Sequence, residues 1–259
     1  MDARALARSF RLFTRALRSR FVAHNLTRLA RLNKTDKAGG HRYTEHYERF
    51  FRPIRHRRLR VLEIGIGGYR DPHAGGESLR TWKHYFPNSL ICGVDLHEKR
   101  LPPESRIRIY QGSQVDEAFL RRVVGEMGGI DIVIDDGSHR NEHVIETFRI
   151  LFPLLAAGGI YAVEDTQTSY WPFMGGDSAD LASPRTMMGY FKSLADGLNH
   201  AEYLRPGYLP GYNDLHITGL HFFHNLVFVE KGDNSAPSNM VREGRLKEGV
   251  TRGLEGQGG

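Results

Sequence analysis

The stretch RVLEIGIGG, residues 60–68, decides the fold, because a short apolar strand runs directly into a glycine-rich loop. Val61, Leu62 and Ile64 supply the apolar side chains of a buried strand, and the glycines that follow let the backbone turn sharply and approach a ligand closely. Open α/β sheets bind ligands outside the carboxyl ends of their strands. The stretch therefore predicts the first strand of an α/β sheet with a ligand site at its end.

Strand and helix patterns alternate after this stretch. Further apolar strands are predicted at residues 90–95, 107–110, 130–135 and 160–164, separated by a helix carrying Leu79, Trp82 and Phe86 and by helices at about 116–126 and 141–155. This alternation predicts an α/β fold with a Rossmann-like, doubly wound, mostly parallel sheet. A helix near 185–198 and an antiparallel pair of strands at 216–220 and 222–230 are predicted to close the domain.

The composition divides the chain into three parts. Residues 1–52 are predicted to form a helical arm and a lid over the site, residues 53–232 the α/β domain, and residues 233–259 a flexible, polar tail. Apolar residues recur at helical spacing between the arginines of the arm, so its apolar face can cover its own domain, a second copy of the chain or a membrane surface.

Basic residues are concentrated in the arm. Residues 1–34 carry a net charge of +8, and the remaining 225 residues carry −2, within a total of +6. The α/β domain is therefore nearly neutral, which argues against a nucleic acid as its partner. A nucleic-acid-modifying protein that depends on the basic arm is the alternative from another functional class.

Cys92 is the single cysteine of the chain, and no apolar run is long enough to cross a membrane. One cysteine forms no internal disulfide, which is typical of reducing compartments. A spanning helix needs roughly 18 consecutive apolar residues, and arginines interrupt the N-terminal segment too often for a secretory signal. We therefore expect a cytoplasmic protein with no transmembrane segment.

The first set of candidate binding residues follows two successive strands. Glu63, Gly65 and Gly67 lie at the end of the first strand, and Asp95 ends the second, where its carboxylate can accept hydrogen bonds from ribose hydroxyls. Residues 65–70 lack the third glycine of a pyrophosphate-binding loop, which argues against a dinucleotide. Taken separately, the glycines fit a tight turn and Asp95 a strand-ending acid; together they indicate an adenosine ligand.

Acidic residues follow two later strands. IDDGSH, residues 134–139, and VEDT, residues 163–166, each end a predicted strand. Because neighbouring parallel strands end at the same edge of a sheet, Asp136, Glu164 and Asp165 are expected to converge, and hard oxygen ligands favour Mg²⁺ over Zn²⁺. Taken separately, Asp136 also fits a helix N-cap, and the other two fit a solvated turn.

Two histidines lie beside this acidic cluster. His139 follows Asp136 by three residues and is expected to remove a proton from a weakly acidic hydroxyl that a metal ion has activated. His143, one helical turn later, can assist or replace His139, although a lone helical histidine is more often structural.

The E-x-G-x-G pattern at Glu63–Gly67 resembles motif I of the class I methyltransferases, which bind S-adenosylmethionine. By this resemblance, Ser113 and Gln114 fall where that fold contacts the adenine of the cofactor. Asp135, at the end of a neighbouring strand, is added to the expected cofactor contacts.

A larger resemblance covers residues 34–231. IDDGSH, the 28-residue step from Asp136 to the Glu-Asp pair, and the closing HFFHNLVFVEK resemble the macrocin and mycinamicin sugar O-methyltransferases, and TDKAGGHRYTEHY, residues 35–47, is similar to their opening segment. The resemblance implies Mg²⁺ at the three carboxylates, a base at His139, and a sugar-containing acceptor: a glycan, a glycoside or a glycosylated natural product. A magnesium-dependent methyltransferase of catechols is the alternative with the same chemistry.

Overall fold

The computed structural model describes residues 14–15 and 17–247, and it confirms a doubly wound, mostly parallel sheet. Seven strands lie in the order β3-β2-β1-β4-β5-β7-β6. Their bounds are β1 Arg60–Ile64, β2 Leu90–Asp95, β3 Ile107–Gln111, β4 Ile130–Asp135, β5 Leu155–Glu164, β6 Ile217–Phe223 and β7 Leu226–Lys231. The first five strands pair in parallel, whereas β7 runs antiparallel to β5 and β6 antiparallel to β7.

The strand register brings the functional segments to one edge. Ile64 pairs with Asp135, and Asp135 pairs with Val163, so β1, β4 and β5 end side by side. From β1 the chain winds outward through β2 and β3, and it then returns to β4 on the other side of β1. Ligands of open α/β sheets bind at such a switch point.

Helices cover both faces of the sheet, and two apolar clusters fill the space between the layers. The α-helices are Leu26–Asn33, Tyr43–Phe51, Glu77–Tyr85, Glu117–Met127, Asn141–Leu154, Met187–Ser193 and Tyr212–His216, and residues 17–22 are also helical. The 3₁₀ segments are Thr166–Tyr170, Pro172–Met174 and Asp196–Glu202. Cys92 is a buried free thiol within one cluster.

Three predicted boundaries were wrong. The turn between the last two strands lies at residues 224–225, where Asn225 adopts a left-handed φ of 60°, so the first of these strands continues to Phe223. The fifth strand begins at Leu155, which pairs with Ile130 ahead of an irregularity in the ladder. The helix predicted at 185–198 ends at Ser193, and a 3₁₀ segment follows from Asp196.

The segment before β1 packs against the α/β domain. Tyr47 and Phe51 are fully buried in the same cluster as Trp82 and Phe228. Residues 233–247 of the predicted tail include a hairpin of Val241–Arg242 and Arg245–Leu246, while residues 1–13, 16 and 248–259 lie outside the described part of the chain. The three domain boundaries and the role of the arm in oligomer formation stay predictions.

Within the described residues, each helix is too short or too polar to traverse a lipid bilayer.

Candidate active site

A cavity of about 690 Å³ opens at the carboxyl ends of the central strands. The predicted site residues that line it are Gly65, Gly67, Asp95, Ser113, Gln114, Asp136, His139, His143 and Asp165. The structure therefore brings nine of the twelve predicted site residues to one cavity. Glu63, Asp135 and Glu164 are buried and do not belong to the described lining.

The glycine loop forms one side of the cavity. Gly65 has a φ of 79° and Gly67 a φ of 73°, a left-handed conformation that glycine adopts without steric cost. A Cβ atom on Gly65 would lie 2.1 Å from the backbone oxygen of Asp136, so the residue type is also required by the close approach of two chain segments. The loop is thus packed directly against the acidic segment that follows β4.

Asp95 lines the cavity next to the glycine loop and is held there by backbone hydrogen bonds. Its Oδ2 accepts a hydrogen bond from the backbone N–H of Ile66 at 3.3 Å, and its Oδ1 accepts one from His97 at 2.9 Å. These bonds hold the carboxylate at the cavity while leaving part of its acceptor capacity free. This position suits the predicted contact with ribose hydroxyls, which stays a prediction.

Gln114 also lines the cavity, after strand β3. Its Oε1 accepts from the backbone N–H of Ser138 at 2.8 Å, and its Nε2 donates to Thr147 at 2.9 Å. Because both ends of the amide are engaged within the protein, Gln114 fixes the loop after β4 as well as lining the cavity. Asp135 lies behind this loop, where burial raises its pKa to about 7.

Asp136, His139 and Asp165 form a compact group on the cavity wall, in which one ligand atom from each lies within 4.8 Å of the others. The Nε2 atom of His139 is 3.5 Å from Oδ2 of Asp165 and 3.9 Å from Oδ1 of Asp136. Both His139 and Asp165 have a φ of 54°, a left-handed conformation that is uncommon outside glycine and is often found at functional sites. Two carboxylates and an imidazole are a donor set that fits a divalent ion.

His143 lies further along the same rim. Its Nδ1 atom is 2.9 Å from the hydroxyl of Ser138, and its ring is about one third exposed. It therefore faces the cavity from the helix that begins at Asn141, but the group of close ligand atoms contains His139 instead.

Lys37 is a central residue that the sequence analysis did not single out. Its side chain is 1% exposed, and its Nζ donates to Oδ2 of Asp136 and to Oε1 of Glu164, both at 2.7 Å. The same atom lies 3.4 Å from Oε1 of Glu63. One ammonium thus bridges carboxylates at the ends of β1, β4 and β5.

Other residues of the same N-terminal segment contact the acidic residues. The hydroxyl of Tyr43 donates to Oδ1 of Asp165 at 2.7 Å, and that of Tyr47 donates to Oε1 of Glu164 at 2.6 Å. His41 stacks on Tyr43 and lies 3.7 Å from Asp165. Residues 37–47 therefore cover the acidic edge of the sheet.

Burial and charge shift the pKa values of this cluster. Burial alone would lower the pKa of Lys37, but the carboxylates of Asp136 and Glu164 raise it well above its ordinary value, so the group stays an ammonium. Burial raises the pKa of Glu164, with Asp136 adding to the increase and Lys37 opposing it. Burial opposes ionisation of Asp165, yet the Tyr43 hydrogen bond and the adjacent His139 hold its pKa below the ordinary value.

Glu63 is the innermost acid of the cluster. Its Oε2 accepts from the hydroxyl of Ser78 at 2.7 Å, and burial raises its pKa to about 7 although Lys37 opposes the increase. Its side chain is fully buried, so it contacts Lys37 and not the open cavity. The predicted contact of Glu63 with a cofactor stays a prediction.

Comparisons with known proteins identify similar methyltransferases. The chain is 50% identical over 196 residues to the demethylmacrocin O-methyltransferase of Streptomyces fradiae, which covers 75% of this chain and 50% of that protein. It is 48% identical over 218 residues to the 8-demethyl-8-alpha-L-rhamnosyl tetracenomycin-C 2'-O-methyltransferase of Streptomyces olivaceus, covering 84% of this chain and 57% of that protein. No protein-family model matches the chain.

A solved structure has the same fold. The MycE methyltransferase of the mycinamycin biosynthetic pathway, in complex with Mg and SAH, superposes with a TM-score of 0.81 at 44% identity, covering 90% of this chain and 59% of that one. The predicted class I methyltransferase fold is thereby confirmed. The chain spans about half the length of the curated relatives described here.

Proposed function

We propose that this chain, a homologue of the macrocin- and mycinamicin-type sugar O-methyltransferases, transfers a methyl group from S-adenosylmethionine to a hydroxyl of a sugar-containing acceptor. The acceptor class is a glycan, a glycoside such as a rhamnoside or mannoside, or a glycosylated natural product. Related proteins are named for sugar hydroxyls of glycosylated natural products, and a similar structure contains Mg and SAH.

One observation carries this proposal: Asp136, His139 and Asp165 converge on the same cavity that the glycine loop and Asp95 line. A cofactor and a metal-bound acceptor can therefore meet in one space. A structural turn or a helix cap would explain each segment separately, but neither requires a histidine between two carboxylates.

The residues of the cavity fit both groups. Gly65 and Gly67 let the backbone approach a cofactor, and Asp95 presents carboxylate oxygens for its ribose. Asp136 and Asp165 offer the oxygen ligands that Mg²⁺ prefers. When bound, S-adenosylmethionine supplies the methyl group, and Mg²⁺ supplies positive charge that favours ionisation of a coordinated hydroxyl.

The protein then orients the acceptor and moves one proton. Asp136 and Asp165 would hold the ion, and an acceptor hydroxyl bound beside them would be placed at a defined point; such orientation supplies a large part of a rate enhancement. His139 takes the hydroxyl proton at Nε2, the ring atom that faces the two carboxylates.

The position of Asp95 predicts its contribution to cofactor affinity. Asp95→Ala should weaken binding of S-adenosylmethionine by about 1.5–3 kcal/mol, because hydrogen bonds to a charged acceptor are lost. Isothermal calorimetry measures the affinity. Asp177→Ala is the matched control, since Asp177 also accepts backbone N–H groups but does not belong to the described cavity lining; unchanged affinity in Asp95→Ala would contradict this placement.

A test of the acceptor uses purified protein, S-adenosylmethionine and Mg²⁺ with rhamnosides, mannosides, a catechol and a short RNA. Mass spectrometry should detect a glycoside that has gained one methyl group. Methylation of the catechol or the RNA alone would instead favour one of the two alternative functions. Cofactor binding without methylation of any glycoside in a broad panel would contradict the sugar as acceptor.

The location and partners of the protein are also proposals. The single buried thiol Cys92 suits a reducing cytoplasm, and the near-neutral α/β domain suits an uncharged sugar better than a nucleic acid. Leu17 and Phe21 are exposed on the helical residues 17–22 and are available for contact with a second copy of the chain.

A further inference from the structure

Lys37 makes an unusual set of contacts for a lysine. Its side chain is almost completely buried, and its ammonium contacts three carboxylates that end three neighbouring strands. Burying an ammonium is costly unless charges and hydrogen bonds compensate it. The chain therefore keeps a fixed positive charge beside Asp136 and Glu164, outside the described cavity lining.

Lys37 contacts one particular carboxylate oxygen of Asp136 and one of Glu164. Lys37 holds Asp136 by Oδ2 and Glu164 by Oε1, while Oδ1 of Asp136 is turned toward His139. Tyr47 donates to the same Oε1 of Glu164. Lys37 thus binds one oxygen of each acid and leaves the second oxygen of Asp136 on the side of the cavity.

We propose that Lys37 is a positioning residue that orients Asp136 and Glu164 and sets the charge of the acidic cluster for a divalent ion. This inference rests on the proposed function, because it assumes that the cluster binds an ion. Lys37 is buried and does not belong to the described cavity lining, so it acts through the carboxylates.

The charge of Lys37 acts on any cation that the acids hold. Its ammonium lies 2.7 Å from both Asp136 and Glu164, so it offsets part of the attraction that these acids exert on a cation. The repulsion between the ammonium and the cation grows with the charge of the cation, so a trivalent ion is disfavoured more than a divalent one.

The experiment compares a divalent with a trivalent probe. Mn²⁺ affinity is measured by electron paramagnetic resonance and Tb³⁺ affinity by luminescence, in the native chain and in Lys37→Met. The preference for Tb³⁺ over Mn²⁺ should rise by at least about tenfold in the variant, since removal of one adjacent charge benefits a trivalent ion more. Neither readout depends on methyl transfer.

Lys231→Met is the matched control. Lys231 is also buried, but its Nζ donates to the backbone oxygens of Phe152 and Pro153. The control should leave the ion preference unchanged, although both substitutions remove a buried ammonium. A similar shift in both variants would contradict a specific role of Lys37.

A compensating variant keeps the test decisive where Lys37→Met folds poorly. Lys37→Met/Glu164→Gln has one acid fewer, so it should unfold at a higher temperature than Lys37→Met and return toward the native ion preference. The role of Lys37 is overturned if Lys37→Met has the same preference for Tb³⁺ over Mn²⁺ as the native chain. It is also overturned if the double variant unfolds at a lower temperature than Lys37→Met. Failure of the native chain to bind Mn²⁺ would overturn the ion site of the proposed function as well.

Discussion

Replacing His139 by Asn should lower kcat by at least about 100-fold, the lower range for loss of a general base. A sugar hydroxyl is weakly acidic, and Nε2 of His139 lies between the carboxylates of Asp136 and Asp165, at 3.9 and 3.5 Å. Asn tolerates the left-handed backbone at this position, where φ is 54°, so little strain is added. Steady-state kinetics at saturating cofactor, Mg²⁺ and acceptor measure the effect.

Measuring the ion affinity of His139→Asn distinguishes a general base from a ligand of the ion. His139 lies within ligand distance of the two acids, so its loss could also weaken ion binding. A base should leave Mn²⁺ affinity and cofactor affinity essentially unchanged, whereas parallel losses of ion affinity and turnover would identify His139 as a ligand. His221→Asn, which removes a histidine paired with Glu230 on strands β6 and β7, is the control and should retain activity.

His143→Asn tests the competing assignment. His143 faces the same cavity and contacts Ser138, so it is available as a base. Near-normal turnover of His139→Asn together with loss of turnover in His143→Asn would make His143 the base. Activity in both variants would contradict a histidine mechanism and leave proton removal to a carboxylate or to solvent.

The strands were predictable because each is a short apolar run bounded by turn residues. The bounds of β1, β2 and β4 agree with prediction, since these runs are mostly apolar and end at glycine or acidic residues. The hairpin of β6 and β7 was misplaced because polar residues occur both at His221 and at His224–Asn225, and the prediction placed the turn at the first of these positions, whereas the chain turns at the second.

The convergence of Asp136 and Asp165 was predictable from topology, because neighbouring parallel strands end at one edge. The contacts of Lys37 were not. Lys37 is separated by 99 residues from Asp136 and by 127 from Glu164, and it lies in a loop before the sheet begins. No periodic pattern links positions so far apart in the sequence. The similarity of residues 35–47 to known enzymes therefore predicted no role for Lys37.

Asp136→Asn should lower kcat at a fixed Mg²⁺ concentration by on the order of 1,000-fold, because a metal ion that polarises an oxygen contributes several kcal/mol to catalysis. The substitution keeps the size of the side chain but removes a charge from the group of Asp136, His139 and Asp165. Ion affinity should fall in parallel. Chelator should likewise abolish the activity of the native chain, and added Mg²⁺ should restore it.

Asp131→Asn provides the matched control on the same strand. Asp131 lies near the opposite end of β4, where it accepts hydrogen bonds from Arg60, and it does not belong to the described cavity lining. This variant should retain native ion affinity and kcat, even though it loses an ion pair. Full turnover of the native chain in excess chelator, or of Asp136→Asn without added metal, would show that the acidic cluster does not act through a bound ion, and Asp136 would then serve only to hold Lys37 and the loop after β4.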